Sequence, residues 1–158
     1  MPTLEEDVLI AAPPERVFAR LAQPERGPEW TPNLLNVERT SEIETGPGLE
    51  TSLLAKVAGR ESRGTGRCLD WDPPHRMVLE SSLDVGITST TTFNLAQRGP
   101  ATAVKARVDY SLPPKGLGRF VGGLLGEPLA RRDLRKALAN LKRQIEAEET
   151  GQAAPRRA

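Results

Sequence analysis

The chain has 158 residues, of which 37% are apolar and 4% aromatic, enough to bury a core and above the disordered range. Its 22 basic and 21 acidic residues leave a formal charge of +1, a balance that gives no field to attract a polyanion and argues against nucleic acid as a partner. No stretch approaches the roughly 18–20 apolar residues of a spanning helix. The lone Cys68 allows no internal disulfide, so a reduced, cytoplasmic setting without stable membrane insertion is the natural reading.

Residues Thr3–Ala11 read as a first strand, with Leu4, Val8 and Ile10 on one face and Pro13-Pro14 stopping it. The opening MPTLEEDVLI has no basic region ahead of its short apolar run, and it reads as neither a signal peptide nor a membrane span. Pro14 suits the first turn of a helix and Glu15 favours the positive end of its dipole. The spacing of Val17, Phe18 and Leu21 therefore predicts a short helix over Pro14–Leu21. Pro24, Pro28 and Pro32 forbid a long helix beyond it and leave room for a single turn around Glu25–Trp30.

From Leu34 to Pro113 the period changes to two. A strand carrying Leu35, Val37 and Ile43 is expected to run to the Gly46-Pro47-Gly48 turn. Leu49, Thr51, Leu53, Ala55 and Val57 then share one face of a second strand, closed by Ala58-Gly59. Arg60–Trp71 runs to Asp72-Pro73-Pro74, a boundary because proline cannot donate to a ladder. His75–Val85 and Gly86–Gln97 read as hairpin partners, and the β-branched run Thr88–Thr92 disfavours helix. Val104, Ala106, Val108, Tyr110 and Leu112 alternate with polar residues in the cleanest half-buried strand. Roughly six antiparallel strands thus follow one another with no helix between them.

The last element is an amphipathic helix. Leu117, Val121, Leu124, Leu125, Leu129, Leu134, Leu138, Leu141 and Ile145 keep three- and four-residue spacing, with arginines and lysines between them. Fully burying each such aliphatic is worth roughly 1.5–3 kcal/mol at most. Together they exceed what helix propensity supplies, so the helix must dock on the sheet. Gly122, Gly123, Gly126 and Pro128 predict a bend or break near Gly126–Pro128. The glycines are either a gate for ligand entry or a poorly formed helix start. Residues 150–158 read as a disordered tail, and residues 1–149 as one domain.

Four motifs carry a resemblance. Ala12-Pro13-Pro14-Glu15-Arg16-Val17-Phe18 closes the first strand, Pro28-Glu29-Trp30-Thr31-Pro32 follows the short helices, Gly46-Pro47-Gly48 enters a hairpin, and Leu69-Asp70-Trp71-Asp72-Pro73-Pro74-His75-Arg76 makes a turn. In this order the chain resembles the helix-grip fold of the SRPBCC superfamily, which includes START lipid-transfer domains, pollen-allergen-like proteins and the bacterial polyketide cyclase/dehydrase group. The last group is the nearest in pattern. The resemblance implies an α+β fold, with a curved antiparallel sheet of six to seven strands wrapped around the long C-terminal helix and two short helices after the first strand. It implies a bacterial protein, but no catalytic residue set common to the superfamily is available to carry over, and one fold hosts many functions.

Candidate residues follow from strand parity. Trp30, Leu53, Leu69, Met77, Phe93, Tyr110, Phe120 and Leu124 are expected to line a cavity between sheet and helix, a description that an ordinary core would share. Trp30 is either a wall of the entrance or packing beneath the short helices. The Tyr110 hydroxyl is either satisfied by the protein or free to bond a ligand or act as an acid. Arg63 and Arg67 share the parity of Leu69 and Trp71, so Arg67 is an expected polar anchor for an oxyanion. A bulge at Gly64 or Gly66 would instead swing both arginines outward. His75, the single histidine, sits in an exposed turn with no second ligand near it in sequence, and Cys68 reads as a small buried residue. No cofactor or metal is expected. The leading reading is a binder or carrier of a small hydrophobic molecule (a lipid, quinone or polyketide-like compound), as monomer or homodimer. The alternatives are a cyclase/dehydratase-type enzyme using Tyr110 and Arg67, and a protein-interaction module of the chaperone-activating kind.

Overall fold

The computed structural model describes residues 2–43, 45–112 and 117–151, with backbone alone for 117–127. The elements are β1 (Thr3–Ile10), α1 (Pro14–Leu21), a 3₁₀ helix (Pro24–Glu29), β2 (Leu34–Arg39), β3 (Glu50–Val57), β4 (Arg60–Asp72), β5 (Arg76–Leu83), β6 (Thr88–Arg98), β7 (Ala101–Ser111) and α2 (Leu117–Glu149). The strands form one antiparallel sheet in the order β1-β7-β6-β5-β4-β3-β2. β2 to β7 make a meander of hairpins, and β1 adds to its far edge. This is the helix-grip architecture, with α1, the 3₁₀ helix and α2 on one face of the sheet.

Local chemistry places the boundaries. Pro13 caps α1 in an extended conformation and Pro14 takes its first turn, where the missing N–H costs nothing. Pro24 and Pro28 hold the next segment to a 3₁₀ helix, which lies so close to β2 that a Cβ on Gly27 would sit 3.1 Å from Leu34. β2 ends at Arg39 rather than continuing through Ile43. Ser41 accounts for this: its hydroxyl donates to the Ile43 carbonyl (2.8 Å) and accepts from the Glu50 N–H (2.9 Å), replacing the ladder with a side-chain-stabilised turn. Ile43 is left exposed.

α2 is helical through Pro128 without interruption, so no break falls there. Ala137, Leu138, Leu141 and Ile145 are its buried stripe, the last three packed with Ile10, Val17, Phe18, Phe93, Leu95 and Val104. The side chains of Leu117, Val121, Leu124 and Leu125, and the three-glycine cluster proposed as a gate, lie outside the described side chains. Thr150 and Gly151 close the helix with bonds to the Glu146 and Glu148 carbonyls; residues 152–158 lie outside the described residues. Polar straps fix α2 to the β1 edge: Glu6 meets Arg131 (2.7 Å) and Arg135 (3.1 Å), Lys142 donates to the Leu9 carbonyl (2.8 Å), and Glu146 accepts from the Ala11 N–H (2.8 Å). Among the described residues no helix is long and apolar enough to cross a membrane.

Candidate functional site

Strand register divides the concave face of the sheet into two halves. The rungs Trp71–Met77–Phe93–Ala106 and Leu95–Val104 lie under α1 and the C-terminal part of α2 and pack with them, Trp71, Met77 and Phe93 forming the boundary of the packed half. Among the described residues, the rungs Cys68–Leu79–Thr91–Val108 and Thr51–Gly66–Ser81 are not covered in this way. Over them lies a cavity of about 460 Å³. Aromatic rings stand between the halves. Trp30 meets Phe93 edge-on (centroids 6.4 Å apart, planes at 65°) and Trp71 meets Phe18 (5.0 Å, 75°), geometries that favour ring quadrupoles.

Trp30 is held from behind by α2. Asn140 donates to the Trp30 carbonyl (3.1 Å) and Gln144 to the Glu29 carbonyl (2.8 Å). The ring lines the cavity, while its indole N–H is buried with no acceptor among the described residues. At the cavity rim Asn33 takes a left-handed conformation (φ 68°), which asparagine tolerates, and its amide reaches Asp133 of α2 at 3.2 Å. Lys56 stands exposed beside it.

Of the sequence-derived candidates, Trp30, Leu53, Arg67, Met77 and Phe93 all line this cavity. Leu69 does not. A bulge between Cys68 and Asp70 reverses the parity of β4, so Cys68 and Trp71 both face inward while Leu69 is 43% exposed on the outer face. The same bulge corrects the reading of Arg63 and Arg67, which share the outward parity of Leu69. Arg67 and Glu80 still border the cavity, but the Arg67 guanidinium pairs with Glu80 at 2.7 Å, with 57% of its side chain exposed, so its charge is already engaged. The bulge lies beyond Gly64 and Gly66, not at them. Tyr110 is half-buried on the inner face of β7, on the Ser81–Ser89 rung but outside the cavity lining. Phe120 and Leu124 lie outside the described side chains. His75 is exposed in the turn before β5.

Among the lining residues not singled out from sequence are three with hydroxyls on the strands of the floor, Thr51, Ser81 and Thr91. Their signal was a polar residue on the apolar parity of a strand, most legible at Thr51 between Leu49 and Leu53. Cys68 is buried (3% exposed) and its thiol donates to the Asp70 carbonyl; burial pushes that thiol's pKa up, against the smaller effect of the hydrogen bond. Charge stays at the margins. The carboxylates with depressed pKa values lie off the cavity floor: Glu6 through the Arg131 hydrogen bond, Glu29 through Arg26, Asp109 through Thr3 and Arg107, and Glu146 through Lys142 and the Ala11 N–H, each opposed by burial. Among the described residues no three His, Cys, Asp or Glu side chains gather to hold a metal.

Residues 1–146 match the protein family described as polyketide cyclase / dehydrase and lipid transport. No curated protein matches the chain by sequence. Solved structures share its fold at low identity. TTHA0849 from Thermus thermophilus superposes with a TM-score of 0.77 at 21% identity, over 93% of this chain and 99% of that one. The Zhui aromatase/cyclase from Streptomyces sp. R1128 gives 0.75 at 17% identity, over 94% and 95%. A START superfamily protein from Mycobacterium smegmatis gives 0.69 at 19% identity, over 90% and 98%.

Proposed function

The chain belongs to the polyketide cyclase / dehydrase and lipid transport family, and from that premise we propose that it binds and carries one small, largely apolar molecule in the cavity between its sheet and α2. The observation that carries this reading is the cavity itself. About 460 Å³ of space lies within the fold, lined chiefly by Leu, Val, Trp, Met and Phe side chains, and a space of that size and lining suits a drug-sized apolar ligand. A core meant only for stability would be packed to crystal density, because unfilled space costs its lining atoms their contacts.

Binding is favoured over acid–base catalysis by what faces inward. The floor offers hydroxyls and one thiol whose pKa burial raises, and at its border Glu80 is paired with Arg67 and Asp133 with Asn33, whereas general acid–base work calls for groups that titrate near neutral pH. The Arg67–Tyr110 pair considered above does not meet across the cavity, since the Arg67 guanidinium at its border is engaged by Glu80 and Tyr110 is off the lining. The test is amide and indole NMR during titration with N-phenyl-1-naphthylamine, a neutral apolar probe. Saturable 1:1 shifts at the Trp30 and Trp71 indoles and around Thr51, Ser81 and Phe93 are expected, with Arg63 and Leu69 unmoved. Shifts confined to the outer face, or no shifts, would overturn the proposal.

A further inference from the structure

We infer that the cavity selects ligands carrying a neutral oxygen, a carbonyl or hydroxyl, and reads it with Thr51, Ser81 and Thr91; this rests on the cavity reading above and names the ligand chemistry within it. Thr51, Gly66, Ser81 and Ser89 lie in one cross-strand file over β3, β4, β5 and β6. Thr91 is one rung along, between Leu79 and Val108. In a sheet whose inward positions are otherwise mostly apolar, a file of hydroxyls is not what packing alone selects.

Each hydroxyl has capacity to spare. Thr51 is 7% exposed, and its hydroxyl has no hydrogen-bond partner among the described residues, although it lines the cavity. That oxygen is not one of the fully buried unpaired polar atoms, so it is open to the cavity and can pair with what enters it. Gly66 keeps that hydroxyl uncovered, because a Cβ there would stand 2.8 Å from Thr51 Oγ1. Ser81 and Ser89 share one hydrogen bond at 2.8 Å. Two hydroxyls sharing one bond leave one proton undonated, and Ser81 is the partner that lines the cavity. Thr51 and Ser81 stand two strand spacings apart, roughly 10 Å, so the floor has two polar spots, one at Thr51 and one at Ser81 with Thr91.

The floor also sets the charge. Among the described residues, an anion moved onto it would lose its water with no free cation to receive it, since the Arg67 guanidinium at the cavity border is paired with Glu80 and Lys56 stands at the rim. Hydroxyls donate and accept, so they serve a carbonyl or a hydroxyl equally well.

The experiment is displacement of N-phenyl-1-naphthylamine by three probes of nearly equal shape: 2-isopropylnaphthalene, 2-acetylnaphthalene and 2-naphthoate. An unselective apolar cavity ranks the isopropyl compound first, because it is the most hydrophobic. The inference expects the acetyl compound to bind about fivefold more tightly than the isopropyl one, the size of one net hydrogen bond, with the carboxylate weakest. Thr51→Val, Ser81→Ala and Thr91→Val keep the shape while removing a hydroxyl. At least one should abolish the acetyl preference while leaving isopropyl affinity within about twofold of the parent. If the isopropyl compound binds as well as the acetyl one, or if all three variants keep the preference, the inference is overturned and the cavity reading survives. If neither neutral probe displaces the dye, both fall.

Discussion

Leu141→Ala and Leu53→Ala should differ in cost, because one side chain sits in the packed half of the layer and the other faces the void. Leu141 is 0% exposed in the cluster with Ile10, Phe18, Leu138 and Ile145. Truncation there loses the transfer free energy and opens a new cavity among close-packed neighbours, about 3–5 kcal/mol. Leu53 is half-buried and already borders the 460 Å³ space. Its loss enlarges an existing void and forfeits part of one side chain's burial, about 1–2 kcal/mol. With a urea m-value of about 2 kcal/mol/M, Leu141→Ala should lower the unfolding midpoint by about 2 M and Leu53→Ala by less than about 1 M, with m unchanged. Equal midpoint shifts for the two variants, or a Leu53→Ala cost above about 3 kcal/mol, would mean that side chains fill the cavity and that the reasoning is wrong.

Other expectations concern the straps and the buried groups. Arg20 is 3% exposed and reaches Glu29 (2.9 Å) and Gln144 (2.6 Å) through one nitrogen, while its Nε and second terminal nitrogen have no partner among the described residues. Arg20→Met should therefore change stability by no more than about 1 kcal/mol, and a loss above about 3 kcal/mol in urea melts would show that the buried charge is fully compensated. Glu6, Glu29 and Glu146 have pKa values held below the ordinary glutamate range in the folded chain. Their stabilisation is present above that range and lost as pH falls through the depressed values, so melting temperature should drop below about pH 5. Glu6→Gln should flatten that drop, and an unchanged acid profile would exclude Glu6 as a contributor. Burial raises the Cys68 pKa, so Ellman's reagent should label it far more slowly in the native chain than in urea, and bound naphthylamine dye should slow it further. Native labelling at the unfolded rate would place the thiol outside the cavity.

The sheet and both α-helices were legible because each rests on a local rule: period two between turn residues, Pro14 at a helix start, leucines at helical spacing. The inner faces of β3 and β5 followed from parity, which is why Leu53 and Met77 line the cavity as expected. β4 defeated the same rule. One extra residue between Cys68 and Asp70 turns Trp71 inward while leaving Arg67 and Leu69 on the outward parity, and no glycine or proline at the bulge announces it. Tyr110 has the right parity but the wrong rung. Whether the inward residues meet or leave a void depends on how the helices sit across the sheet, and no single strand's pattern encodes that.

Fluorescence titration with N-phenyl-1-naphthylamine, run side by side on the parent chain and on Leu53→Trp, tests the central claim most directly. Leu53 lines the cavity, and a larger ring at that position takes up the space a ligand would occupy. The account expects one saturable equivalent of blue-shifted dye on the parent and binding at least about tenfold weaker on the variant, with urea melts confirming that the variant is folded. Non-saturable binding to the parent, or equal binding to both, would contradict it.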